Sequence, residues 1–144
     1  HSVAFPFNIR LAMLGWKRLF FTPQRFEPEA GRSDIFNRGK YLAEGPAHCG
    51  ACHTPRNIFG ARDHSQPYAG SDSGTPAGQV PAITPDALLT AGYDRAWVIE
   101  VLQGGVTPEF DVPGGAMFEV VSEGTSHWTD DDLNAIAAYL LNED

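Results

Sequence analysis

Cysteine is scarce in this sequence of 144 residues, which contains only Cys49 and Cys52. Two cysteines cannot build a framework of several disulfides. They are also too few for the two Cys-x-x-Cys pairs that a structural zinc site usually has. Long apolar runs are missing, since no stretch approaches the ~20 residues of a membrane span. Internal repeats and convincing strand pairs are missing too, so we expect a small domain built from helices and loops.

Basic residues are absent from the last third of the chain. Residues 96–144 contain ten acidic residues and no Lys or Arg, whereas residues 1–95 contain all ten basic residues and eight acidic ones. This uneven distribution argues against nucleic acid as a partner. An acidic surface would instead attract a positively charged protein partner. A merely soluble surface explains it at least as well.

The chain begins with His1 and not with methionine, and no signal peptide is visible. We therefore expect a processed protein or a fragment of a longer one. Its length is suited to one domain. Because Pro23 and Pro28 break the chain, we predict an N-terminal arm over residues 1–30 and a compact domain over residues 31–144.

The predicted arm is aromatic and basic, and it is long enough for one helix after Pro6. Such a segment could lie on a membrane surface, dock on a partner or wrap its own domain. We favour contact with protein, because the apolar positions do not form one clean helical stripe.

Capping residues and apolar spacing predict the helices of the domain. They begin at Ser33 or Asp34, Thr84, Asp94 and Thr129, and one further turn of helix is expected over residues 118–122. Gly39 is costly inside the first of these helices, and either close approach of another helix or a tolerated glycine would explain it. Residues 54–79 form a long polar region, which wrapping around a rigid cofactor would explain. We predict an all-α fold.

The segment Cys49-Gly50-Ala51-Cys52-His53 is the strongest motif in the chain. Cys-x-x-Cys-His is the signature of covalent c-type haem attachment, in which two thiols bond to one edge of the porphyrin and the histidine binds the iron. A redox disulfide, half of a zinc site and chance are the competing interpretations. The first usually has a βαβ context and the second needs four ligands, so we favour one covalent haem c.

A sixth iron ligand is then needed, unless that position is open. Met117 is the best candidate, because it follows His53 by 64 residues (117 − 53) and because Gly114 and Gly115 allow the backbone to approach the ring. In a chain without the haem motif, Met117 would be interpreted as an apolar residue that packs in the core. The remaining Met and His residues are weaker candidates: Met13, His1, His48, His64 and His127.

Two residues are predicted to support the cofactor. The carbonyl of Pro81 would accept a hydrogen bond from the second ring nitrogen of His53. Arg56 would pair with a haem propionate, although a solvent-exposed arginine is equally plausible.

The chain resembles the c-type cytochrome domains of multihaem electron-transfer subunits in membrane-bound dehydrogenases for alcohols, sugar acids and aldehydes. The resemblance covers most of residues 33–142 and is most specific at the haem motif with the Thr54-Pro55-Arg56-Asn57 run that follows it. It implies that Cys49 and Cys52 bind haem and that His53 and Met117 ligate the iron. It also implies that Pro81 supports His53, and that the arm is similar to the connector before a second haem domain.

The resemblance implies a small class I-like cytochrome c fold with three to five helices around one covalent haem. We predict a periplasmic one-electron carrier rather than an enzyme. Its donor would be a dehydrogenase subunit or a neighbouring haem domain, and its acceptor another cytochrome, a quinone site or an oxidase. Two alternatives are a haem enzyme or gas sensor with an open sixth position, and a haem-free interaction module that uses the arm.

Overall fold

The computed structural model describes Phe5, residues 8–72 and residues 79–144, and this part of the chain is mostly helical. Seven α-helices and one 3₁₀ turn occur in it. Only two isolated antiparallel bridges, Arg56 with Arg62 and Ser71 with Val80, connect extended segments. The bounds are α1 (Arg10–Phe20), α2 (Asp34–Glu44), α3 (Gly50–His53), α4 (Pro85–Thr90), α5 (Arg95–Gln103), α6 (Ala116–Glu123), the 3₁₀ turn (Thr125–His127) and α7 (Asp130–Leu140).

The helical architecture agrees with the predicted all-α class, but the number of helices exceeds the expected three to five. Six helices, α2 to α7, lie after residue 31. The unforeseen one is α3, a single turn of four residues that contains the Cys-x-x-Cys-His motif. A helix of one turn is too short to produce an apolar period, so the sequence pattern could not reveal it.

Side chains at the helix starts determine where the longer helices begin. Ser33 Oγ accepts a hydrogen bond from the Phe36 N–H of α2 at 3.1 Å, so Ser33 and not Asp34 is the cap. The same arrangement occurs at α4, α5 and α7, where Thr84, Asp94 and Thr129 accept from the N–H three residues later. The predicted capping residues are thereby confirmed.

Helices α2 and α7 form the central pair of the domain. A Cβ atom built on Gly39 of α2 would overlap the carbonyl of Ala135 and lie 2.8 Å from Tyr139 Cβ, both in α7. Close approach of another helix is therefore the reason for this glycine. Apolar residues of α2, α4, α5 and α7 share one buried cluster, which includes Leu42, Ala43, Leu88, Val98, Leu102, Leu133, Ile136 and Leu140.

Part of the acidic last third is tied to basic residues of the first part. Arg32 binds Asp144 at 3.4 Å, and Arg38 and Arg95 each bind an acid at 2.8 Å, Asp132 and Glu143 respectively. These three pairs hold the start and the end of α7 against α2 and α5. Three of the ten acidic residues in the last third of the chain are therefore paired with arginines of the same chain. Fewer acidic groups are left to attract a basic partner than the sequence suggested.

Helix α1 lies in the predicted arm, and its contact with the domain is narrow. The Trp16 indole Nε1–H donates to the Phe59 carbonyl at 2.8 Å, and the Phe20 and Phe59 rings stack at 5.7 Å. None of its eleven residues is buried. Among the residues with described positions, no helix has the length and apolar character needed to cross a membrane.

Candidate haem site

The Cys-x-x-Cys-His motif lies on the turn of helix α3. Cys49 precedes the helix and donates its backbone N–H to the Ala43 carbonyl at 2.9 Å, which attaches the turn to the end of α2. The His53 N–H donates to the Cys49 carbonyl at 3.0 Å. Cys49 and Cys52, three positions apart on one turn, lie on one side of it, as attachment to one porphyrin edge requires.

The electrostatics of Cys49 disfavour a redox-disulfide site. Both thiols are free and half-buried. The pKa of Cys49 is raised to about 11, chiefly by burial and to a smaller extent by the nearby Cys52, while a backbone hydrogen bond opposes part of the rise. Redox cysteines of Cys-x-x-Cys motifs have a lowered pKa, because the thiolate is the reactive form. Cys49 lacks that property.

The imidazole of His53 is held in the orientation that an iron ligand needs. Its Nδ1–H donates to the Pro81 carbonyl at 2.8 Å. This bond selects the tautomer with the proton on Nδ1 and leaves the lone pair of Nε2 for a metal. Burial lowers the pKa of His53, and the bond to Pro81 opposes part of that effect. The ring is therefore neutral near pH 7, which is the form that binds metal.

Gly70 brings the Pro81 segment into reach of His53, and the sequence analysis did not single it out. Its N–H donates to the His53 carbonyl at 2.8 Å. Its φ is +83°, and a Cβ there would lie 2.8 Å from Val80 O and Ala82 N. Only glycine fits this contact without displacing the backbone. The residue lies in a polar region rich in glycine, so no pattern distinguished it from a loop glycine.

Tyr68 and Thr54 support the same turn and were also not predicted. Thr54 is buried, and its Oγ1 accepts the Tyr68 N–H at 3.1 Å. The Tyr68 ring makes an edge contact with Tyr139, whose hydroxyl donates to Glu44 at 3.0 Å. Burial raises the pKa of Tyr68 to about 12, so it is a neutral phenol at ordinary pH. The haem turn is thereby connected to the α2–α7 pair.

Arg56 lies beside the turn with a donor to spare. Its Nη1 donates to the Gly60 carbonyl at 2.7 Å and its Nη2 to the Ala51 carbonyl at 2.9 Å. Its Nε is buried and has no hydrogen-bond partner among the described residues. Because the surrounding protein itself encloses this N–H, it does not face an open site. The predicted contact of Arg56 with a propionate stays a prediction.

Met117 is the second residue of α6 and packs half-buried against the core cluster. Gly115, directly before the helix, has a φ of +59°. Along the chain on either side of Met117, the side chains of Val112 and Phe118 are more than half exposed. Axial ligation by Met117 stays a prediction.

The other candidate ligands lie in less suitable places. Met13 is on α1, with 41 % of its surface exposed. His48, His64 and His127 are exposed. His1 falls outside the described residues. Taken together, two free thiols on one turn and an oriented imidazole directly after them fit a covalent haem.

Comparison with known proteins supports the same cofactor. No family model matches the chain. The chain is 45 % identical over 140 residues to a diheme cytochrome c-type protein of Cereibacter sphaeroides. It is 35 % identical to the fructose dehydrogenase cytochrome subunit of Gluconobacter japonicus, and 34 % identical to the cytochrome c subunit of alcohol dehydrogenase (quinone) of Gluconacetobacter polyoxogenes.

These matches cover 97 % or 96 % of this chain but only part of each relative. The chain spans 46 % of the diheme protein, 28 % of the fructose dehydrogenase subunit and 31 % of the alcohol dehydrogenase subunit. The names describe cytochromes and cytochrome subunits, not the catalytic subunits of dehydrogenases. The resemblance found in the sequence is therefore confirmed: this chain is a homologue of the c-type cytochrome domains of diheme cytochromes and of dehydrogenase cytochrome subunits.

Proposed function

We propose that this chain transfers single electrons through one haem c, bonded to Cys49 and Cys52 and held by His53 and Met117 as axial ligands. The bound haem would supply one-electron redox chemistry between its ferric and ferrous states. The observation that carries the proposal is the Nδ1–H bond from His53 to Pro81, because it prepares Nε2 for iron directly beside two free thiols.

The chain's own residues position the cofactor and exclude water. His53 keeps its orientation through Pro81, and Gly70 keeps the Pro81 segment close. Arg56, which donates to the carbonyls of Gly60 and Ala51 beside the turn, would offer its positive charge to a propionate. A thioether ligand opposite histidine raises the reduction potential, which is suited to accepting electrons from a dehydrogenase.

The partners and the compartment are part of the proposal. The relatives named as cytochrome subunits of alcohol and fructose dehydrogenases support a dehydrogenase subunit or a neighbouring haem domain as donor. The acceptor would be another cytochrome, a quinone site or an oxidase. We place the protein in the periplasm. The chain carries one Cys-x-x-Cys-His motif and hence one haem, whatever the number in a longer protein.

The test combines mass measurement with absorption spectra. The intact chain, matured with haem, should exceed its polypeptide mass by one haem and should give the spectrum of two thioether bonds after denaturation in pyridine. The ferric protein should be low-spin and react poorly with cyanide, and the ferrous protein should react poorly with carbon monoxide. Met117→Ala should become high-spin and bind carbon monoxide readily, whereas Met13→Ala should leave the spectrum unchanged.

Two results would contradict the proposal. A colourless chain with the bare polypeptide mass would remove the haem and favour an interaction module. A wild-type iron that is high-spin and binds carbon monoxide would favour an enzyme or gas sensor with an open sixth position. A low-spin iron that is unaffected by Met117→Ala would reject only the methionine ligand.

A further inference from the structure

Helix α1 leaves most of its apolar side chains in solvent. The exposed fractions of Leu11 and Leu19 are 82 % and 79 %, and that of Leu14 is 52 %. Only Trp16 and Phe20 are partly covered, through their contact with Phe59. A soluble domain rarely exposes so many large apolar residues on one element without a partner surface. The domain itself therefore does not account for the apolar character of α1.

Most of the exposed apolar residues lie on one broad side of the helix, whereas Leu14 lies among the basic residues, four positions after Arg10 and three before Lys17. Ile9, Ala12, Met13, Trp16 and Phe20 recur at the three- and four-residue spacing of a helical face, and Leu11, Gly15 and Leu19 form a second row beside it. Together these two rows make a broad apolar face, wider than a single stripe. The sequence analysis looked for one narrow stripe and therefore underestimated how amphipathic this helix is.

The charges on α1 are all of one sign. Arg10, Lys17 and Arg18 are its charged residues, and no acidic residue occurs between Arg10 and Phe20. Arg10 and Lys17, seven residues apart, lie on the side away from the apolar face. A helix with a broad apolar face, basic residues opposite and modest overall hydrophobicity is the type that lies in the plane of a lipid–water interface. Anionic headgroups are the complementary surface for its charge.

Hydrogen bonds connect α1 to the haem turn. Trp16 Nε1–H donates to the Phe59 carbonyl, and Arg56 donates to the carbonyls of Gly60 and Ala51. Ala51 lies between the two motif cysteines. Ile58, next to Phe59, is 94 % exposed and adds apolar surface to the same region. A surface bound by α1 would therefore also be close to the haem turn.

We propose that α1 docks the protein on an anionic lipid surface, with Leu11 and Leu19 inserted at the acyl boundary and the basic side chains at the headgroups. The Trp16–Phe59 hydrogen bond then holds the domain in one orientation, with the haem turn directed toward the membrane. This orientation rests on the proposed haem, whereas the docking of α1 does not.

Docking is tested with the full chain and vesicles of phosphatidylcholine with or without about one third phosphatidylglycerol. The wild type should sediment with the anionic vesicles and be released as salt is raised from ~0.1 M to ~0.5 M. Lys17→Gln with Arg18→Gln should weaken binding about fivefold per residue. Leu11→Ser with Leu19→Ser should weaken it at least tenfold. The matched control Ile35→Ser with Leu89→Ser, at exposed leucine and isoleucine positions elsewhere, should bind as the wild type does.

Orientation is tested by linear dichroism of the haem on supported anionic bilayers. The wild type should show a defined tilt of the haem plane. Trp16→Phe keeps the ring and removes the donor, so it should bind equally well with a broader distribution of tilt. An unchanged tilt in this variant would reject the orienting bond, and a colourless protein that still binds vesicles would reject the haem alone.

Three results would overturn docking itself. The first is no sedimentation with anionic vesicles, and the second is equal binding by the Leu11/Leu19 variant and the wild type. The third is a dimer in light scattering that the same variant dissociates, because a second copy of the chain would then cover the apolar face.

Discussion

Replacing Gly39 by alanine tests the close contact between α2 and α7. Two opposing effects decide the result. Alanine is the better helix former and would add about 1 kcal/mol to the free energy of unfolding. Its Cβ would overlap the Ala135 carbonyl and lie 2.8 Å from Tyr139 Cβ, and neither the backbone nor a Cβ atom can rotate away. Overpacking of this kind costs up to about 3 kcal/mol.

The steric effect therefore exceeds the helix propensity, and Gly39→Ala should lower the free energy of unfolding by about 2 kcal/mol. For a chain of this length the midpoint of thermal unfolding should fall by roughly 6 °C. Urea unfolding, followed by far-UV circular dichroism, gives the urea concentration at the midpoint and the slope of the unfolding free energy against urea concentration, and hence the free energy of unfolding. Because Tyr139 contacts Tyr68 beside the haem turn, the visible spectrum of the variant should also change.

Gly15→Ala is the matched control. Gly15 is inside α1, and a Cβ built there meets nothing within 4 Å. The same substitution should therefore leave stability unchanged or slightly raised. If Gly39→Ala unfolded at the urea concentration of the wild type or above it, α2 and α7 would not be in the contact described, and our explanation of this glycine would be wrong.

Three further predictions concern charge and capping. Arg38 lowers the pKa of Asp132, chiefly through a hydrogen bond. The pair therefore stabilises the fold at every pH above the ordinary pKa of an aspartate. This contribution is lost as the pH falls through the lowered pKa of Asp132. Arg38→Gln should thus lower the unfolding midpoint at pH 7 and have no effect near pH 2, and an equal effect at both would contradict the pairing. Arg56→Gln should lower the haem reduction potential on the order of 20 to 60 mV in a spectroelectrochemical titration, because a positive charge close to haem favours the ferrous state. Arg25→Gln, at an exposed arginine between α1 and α2, should change it less, and equal shifts would indicate a general charge effect. Thr129→Ala should lower the free energy of unfolding by about 1 kcal/mol, while Thr129→Ser retains the cap of α7; identical losses would show that the hydroxyl is not the cap.

The sequence predicted the local features of this protein well. Ser33, Thr84, Asp94 and Thr129 cap helices because a side-chain oxygen bonds a backbone N–H only three residues away, and that geometry is contained in a few adjacent letters. The haem motif is equally local, since the two thiols and the imidazole must lie within one turn. For Gly39 the sequence left two explanations open, the close approach of another helix and a tolerated glycine, and it did not identify the helix that approaches.

The features that depend on distant residues were harder to predict. The domain has more helices than predicted. The additional helix is α3, which is too short for its apolar residues to show a helical period in the sequence. Gly70, Thr54 and Tyr68 were missed, because their roles arise from contacts with His53 and with α7. The width of the apolar face on α1, and the fact that none of its residues is buried, became evident only from the folded chain.

By itself, the sequence identified the candidate haem motif, because Cys49 and Cys52 are the only cysteines of the chain and His53 directly follows the second. The tertiary structure decided how the His53 ring is oriented. The Pro81 carbonyl meets His53 only because Gly70 lets two loop segments approach closely. It also decided that α1 lies against Phe59 with Leu11 and Leu19 in solvent. The physical reason is that bonding partners far apart in the chain are selected by packing, which no short stretch of residues encodes.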